Sequence, residues 1–198
     1  MDGVHSNSIL IMGPPHVGKG RISTILSEKT NMPLVSLASS REKYYSELNY
    51  DKEYANKLKR ENGELARYQY SKPFEAHHVV NFLNNLTEAC IVKFEATQSV
   101  YEDQALFDSV FEAVKKFENI ILILPDIDML DSWKIINKLV KAPEDSDLSK
   151  LNWHLVSSRC NSNLATHTIY ASGKTPEDMS EEILEHINSK TQKNVKVS

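Results

Sequence analysis

The run Gly13-Pro14-Pro15-His16-Val17-Gly18-Lys19-Gly20 sets glycines and a lysine at the G-x-x-x-x-G-K spacing of a Walker A motif. In such a loop consecutive backbone N–H groups turn toward a polyphosphate, glycines permit the close approach, and the lysine reaches the terminal phosphates. Gly13, Pro14, Pro15, His16, Val17, Gly18, Lys19, Gly20 and the following Arg21 are therefore candidate nucleotide-binding residues, with Lys19 also a catalytic candidate. Two positions depart from the usual pattern. His16 stands where glycine is common, and Gly20-Arg21 stands where a Ser or Thr hydroxyl would bind Mg2+. ATP is the implied phosphoryl donor. No residue is assigned as a metal ligand, and Mg2+ enters only as the ordinary companion of ATP. The competing interpretation is a Gly/Pro-rich turn that happens to contain lysine. Context opposes it, because Ser8 to Met12 is an apolar run of strand length and Ile22, Ile25 and Leu26 recur at helical spacing just after the loop.

The other candidates depend on elements further along. Pro33 to Leu37 reads as a second strand, and Ser36, Ala38, Ser39 and Ser40 at its end supply no carboxylate; Ser36 is the candidate acceptor ligand there. Arg41 to Asn62 reads as helix, broken near Asn49 and restarted with Asp51 as N-cap. Arg41, Lys43, Tyr44 and Tyr45 are candidates for an acceptor wall, although the same residues suit a solvated face with two packed tyrosines. Gly63 breaks the pattern, and a further helix is predicted from Ser71 as N-cap with Pro73 in its first turn. Its adjacent His77 and His78 point in different directions, which argues against a shared metal site.

Ala89 to Phe94 is a third strand. It ends in Glu95, which is a candidate both for binding the acceptor and for catalysis, and equally suits an exposed or capping position. Tyr101 to Phe117 is predicted helical and Asn119 to Leu124 a buried strand. Asp126, Asp128 and Asp131 read as helix caps rather than Mg2+ ligands. The polar stretch 138–162 suits a lid that brings Lys141 or Arg159 over the phosphates, and is equally compatible with a helical hairpin packed through Leu148, Leu151 and Leu155. Thr166 to Ala171 is a fifth strand and Pro176 to Ile187 a closing helix. Residues 1–187 form one predicted domain and 188–198 a flexible tail.

Composition narrows the class. With 198 residues and a net charge of -4, a general nucleic-acid surface is not expected. No apolar run reaches membrane-spanning length, residues 1–7 lack a signal peptide's basic start, and Cys90 and Cys160 lack metal-ligand spacing. The expectation is a reduced cytoplasmic protein acting on a small-molecule acceptor, with a homodimer or protein partner open.

Alternating strands and helices imply an open parallel α/β sheet with helices on both faces. Several separated strings, among them the loop, Arg41-Glu42-Lys43-Tyr44-Tyr45, Lys72-Pro73-Phe74-Glu75-Ala76-His77, Ser99-Val100-Tyr101-Glu102-Asp103, Leu122-Ile123-Leu124-Pro125 and Gly173-Lys174-Thr175-Pro176-Glu177, together resemble shikimate kinase-like P-loop proteins. The resemblance implies a three-layer P-loop NTPase fold with a five-stranded parallel sheet in the order 2-3-1-4-5. It also implies a kinase-type phosphotransferase with ATP at the loop and adenine against the turn at Lys174. Ser36-Leu37-Ala38 replaces the family's Asp-x-Asp, and Phe94-Glu95-Ala96-Thr97 replaces its glycine run. Both departures alter the acceptor site. The expectation is thus a kinase with a changed acceptor, or a degenerate relative that binds nucleotide or metabolite without turnover as a sensor or partner subunit.

Overall fold

The computed structural model describes residues 2–195, with side chains from 3 to 190. Its centre is a five-stranded parallel sheet, ordered β2-β3-β1-β4-β5, formed by β1 (Ile9–Met12), β2 (Leu34–Ser36), β3 (Ile91–Lys93), β4 (Asn119–Leu124) and β5 (His167–Tyr170). Ile11 stands beside Lys93 on one side and Ile121 on the other, and Lys93 stands beside Ser36. β1, β4 and most of β3 are apolar and buried on both faces, as parallel strands covered by helices must be.

The two faces collect different helices. Leu10, Met12, Val92, Phe94 and Ile120 pack on α4 (Lys52–Asn84), α5 (Gln104–Val114) and α8 (Arg159–Leu164). Ile9, Ile11, Ile91, Ile121, Ile123 and Ile169 pack on α2 (Lys19–Thr30) and α9 (Pro176–Val195). Alternation along each strand sends neighbours to opposite layers. The remaining helices are α1 (Asp2–Asn7), α3 (Arg41–Ser46), α6 (Met129–Val140) and α7 (Asp147–Ser157).

The expected caps at Asp51 and Asp128 form, and Asp103 adds one. Asp51 accepts from the Tyr54 amide, and Asp103 from that of Leu106. Asp128 accepts from the amides of Leu130 and Asp131, while Asp126 Oδ1 accepts from that of Asp128. This aspartate cluster closes a helix start.

Three expectations change, and a fourth stretch matches one of its two alternatives. The helix expected to begin at Ser71 runs unbroken from beyond Gly63, with Pro73 inside it. Proline removes one hydrogen bond there, and burial of Tyr68, Lys72, Glu75, Ala76 and Val79 on either side holds the helix through it. The lid stretch is largely helical: Leu151 and Leu155 of α7 pack on Tyr68 and Val100. The helix expected over Tyr101 to Phe117 starts later, because Tyr101 is buried with its hydroxyl on the Gln98 carbonyl at 2.9 Å. The closing helix continues past Ile187 to Val195, and the last three tail residues, 196–198, lie outside the described residues. Both cysteines are free; burial pushes the Cys90 thiol up to about 11, which suits an inert core residue. Among the described residues no helix is long and apolar enough to cross a membrane.

Candidate functional site

The loop begins where β1 runs out. Gly13 is buried with φ 140, and a Cβ there would lie 2.2 Å from the carbonyl oxygen of Ile123 in β4. Val17 is buried in the α2 layer and pins the middle of the loop, while His16 and Gly18 are left-handed at φ 63 and 84. That geometry explains why glycine is usual at position 16. His16 adopts it as an exposed residue, at a cost of about 1 kcal/mol, and the turn survives.

Gly18 forms the N-cap of α2 without a side-chain cap, and the helix has no acidic residue in its first turn. No acidic side chain of the helix itself offsets its positive end, a condition that favours an anion. Lys19 Nζ donates to the carbonyls of Gly13 and Pro14, both at 2.7 Å. Burial pushes its pKa down to about 8; Glu95 works against that shift and Lys93 adds to it.

A consequence follows for pH. Free Lys19 loses its proton as pH rises through about 8, whereas a bound polyphosphate would hold the proton on. Nucleotide binding above that pH should take up a proton, and affinity should fall by roughly tenfold or more between about pH 7 and about pH 9.5. Calorimetry in buffers of different ionisation enthalpy reads the uptake directly. A flat affinity with no uptake would exclude Lys19 from the phosphates.

Two hollows meet at the end of β3. The loop cleft, about 340 Å³, is lined by Pro15, His16, Gly18 to Arg21 and Lys93 to Ala96. A larger cavity of about 710 Å³ is lined by Arg41, Tyr45, Tyr50, Lys52, Arg67, Tyr68, Glu75 and Thr97. Glu95 and Ala96 line both. Glu75 of the larger cavity's wall belongs to a buried ion pair: Lys72 Nζ lies 2.5 Å from Glu75 Oε2, and Thr97 Oγ1 donates to Glu75 Oε1 at 2.6 Å. Burial first, and then the Glu75 charge, push the Tyr45 phenol well above its ordinary value, so it stays neutral.

The candidates from sequence distribute unevenly. Pro15, His16, Gly18, Lys19, Gly20, Arg21 and Glu95 line the cleft, and Arg41 lines the cavity. Pro14 is buried beneath the loop. Arg21 reaches Glu177 of α9 at 3.1 Å, and Lys174 reaches Glu182 at 2.5 Å in the turn after β5. Tyr44 is buried and stacked on His78 at 5.1 Å; adjacent helical positions diverge, and Tyr45 faces the cavity instead. Ser36 lines neither hollow, and its hydroxyl is buried without a hydrogen-bond partner. Arg159 is exposed at the first turn of α8, fixed there by the Ser158 cap, and lines neither hollow. Lys141 borders a separate hollow with Trp133 and Glu144. His77 pairs with Glu47, and His78 meets Ser40.

Sequence reasoning missed Lys93, Arg67, Thr97 and the Lys72–Glu75 pair, while Tyr45 of the expected acceptor wall does line the cavity. Lys93 had a signal, since a charge closing an apolar parallel strand lies at the edge where such sheets bind ligands. The cleft suits a polyphosphate. It does not suit Mg2+: position 20 has no hydroxyl, Glu95 is the one carboxylate lining it among the described residues, and Lys93 Nζ stands 3.3 Å from that carboxylate. Among the described residues no group of three or more His, Cys, Asp or Glu side chains is placed to hold a metal.

No family model matches this chain, and no curated protein matches it by sequence. Solved structures do match its fold. The shikimate kinase of Acinetobacter baumannii in complex with shikimate superposes with a TM-score of 0.60 at 14% identity, covering 94% of this chain and 96% of that one. The Aquifex aeolicus shikimate kinase gives 0.59 at 16% identity over 93% and 98%. A gluconokinase from Sinorhizobium meliloti gives 0.58 at 11% identity over 98% of both chains. The architecture is that of the shikimate kinase-like P-loop fold.

Proposed function

We propose that the chain is an ATP-dependent small-molecule phosphotransferase with an altered acceptor site, working in the cytoplasm. The observation carrying this reading is Glu95, which borders the phosphate cleft and the acceptor-sized cavity at once. The backbone amides of residues 16–20 would cradle the β and γ phosphates, and Lys19 would exchange the Gly13 and Pro14 carbonyls for phosphate oxygens. The acceptor lies in the larger cavity, where Arg41 is placed to meet an acidic group and the tyrosines give an aromatic wall. Its hydroxyl oxygen attacks Pγ, the bond from Pγ to the bridging oxygen of ADP breaks, and the hydroxyl proton passes to Glu95.

The test is ADP formation across a panel of polyhydroxy acids and sugars. A productive acceptor should give turnover that falls about 10²- to 10⁴-fold in Glu95→Gln while ADP still binds. Undiminished turnover in that variant would remove Glu95 from the chemistry.

A second reading is favoured by two sequence departures, Gly20 after the lysine and Ser36-Leu37-Ala38 after β2. In it the fold binds nucleotide or metabolite without turnover and serves as a sensor or partner subunit. The exposed apolar residues Ile127, Met129, Leu130 and Leu139, in and just before α6, suit a protein contact in that case.

A further inference from the structure

The phosphate cleft contains a cation that neither the motif nor the proposed chemistry requires. Lys93 closes β3 between β1 and β2, beside Ile11 and Ser36 in register, and its side chain lines the cleft together with Lys19. It is half-buried, with Nζ 3.3 Å from Glu95. A divalent ion in this cleft would need oxygen ligands and would have to displace or tolerate that ammonium. The available ligands are few, because residue 20 is glycine with open space where a side chain would project, and Glu95 is already paired with Lys93.

We infer that Lys93 serves as the fixed counter-ion of the bound polyphosphate, so that the loop takes a nucleoside di- or triphosphate free of divalent metal. This rests on the proposed nucleotide site and specifies its ligand. Lys19 and Lys93 neutralise the phosphate oxygens that a metal would otherwise bridge, and Glu95 is released from Lys93 when the anion enters. An ammonium is suited to the role as a compact point charge. It attracts a metal-nucleotide complex, which the divalent ion leaves less negative, more weakly than the free nucleotide, so the same residue favours the metal-free ligand.

Calorimetric titration of ADP, ATP and inorganic tripolyphosphate, each in EDTA and in excess Mg2+, tests this on the full chain. Wild type should bind in EDTA at least as tightly as in Mg2+. Lys93→Met should weaken the metal-free binding about ten- to a hundredfold and shift preference toward the Mg2+ complex, whereas Lys93→Arg should retain most of the affinity. Unchanged thermal midpoints for both variants separate this effect from misfolding. Should wild type bind only with Mg2+, or Lys93→Met bind in EDTA as wild type does, the counter-ion role falls while the nucleotide site stands. Absence of binding under every condition overturns both.

Discussion

Lys72→Met lowers the thermal midpoint by roughly 6 to 20 °C, and the double variant Lys72→Met/Glu75→Leu recovers most of that loss. Lys72 and Glu75 are 4% and 5% exposed, so neither charge has water to fall back on. Lys72 Nζ lies 2.5 Å from Glu75 Oε2 and 2.5 Å from the Thr97 carbonyl oxygen, and it sits 4.6 Å from the Tyr68 ring and 4.3 Å from that of Tyr101. Taking the cation away leaves a carboxylate buried without its partner, which costs about 3 to 5 kcal/mol, and a chain of this length loses about 2 to 4 °C per kcal/mol. Replacing both charges by apolar groups is often neutral, which is why the double variant discriminates. A double variant as unstable as the single one would mean that packing, rather than the charge pair, holds this part of the cavity wall. The pair also matters to the site, because Thr97 belongs to the turn that carries Glu95.

Gly13→Ala should cost about 3 kcal/mol or more and abolish nucleotide binding together with the loss of stability. The added methyl would stand 2.2 Å from the Ile123 carbonyl oxygen, which belongs to a buried central strand and cannot turn aside. The residue would also keep a positive φ of 140 that alanine resists. Urea unfolding with an unchanged slope and a reduced midpoint is the expected result. The control is Gly20→Ala, where a Cβ meets nothing within 4 Å and the helical position favours alanine. Equal stabilities for the two variants would contradict the close approach of β1's end to β4.

The contrast between these glycines shows what the chain discloses by itself. Gly13 and Lys19 sit in a motif whose spacing mirrors its geometry, and the apolar run Asn119 to Leu124 matches β4 residue for residue. Those features are local, since a strand buried on both faces needs only an apolar run and a loop only its turn residues. The cavity is different. Tyr45, Arg67, Glu75 and Thr97 come from α3, α4 and the turn after β3, and nothing in their sequence spacing announces that they meet. Pro73 actively misled, because its local preference for a first turn is overridden by the packing of Lys72 and Ala76 on either side. The stretch 138–162 shows the same limit: its polar composition left a lid and a packed hairpin equally open, and it is the burial of Leu151 and Leu155 that the structure supplies. Arg159, at the start of α8, lines neither hollow. His16 is the reverse case, a departure from the motif that proves compatible once its left-handed backbone is seen.

The central claim is that the loop from Gly13 to Gly20 is a working polyphosphate site. Its most direct test is thermal unfolding of wild type and Lys19→Ala with ATP or ADP. At about a hundred times the dissociation constant a ligand stabilises by about 2.7 kcal/mol, so the wild-type midpoint should rise by roughly 5 to 10 °C. Lys19→Ala should keep its fold and lose that rise. An equal rise in the variant, or no rise in a wild type that unfolds cooperatively, would contradict the claim.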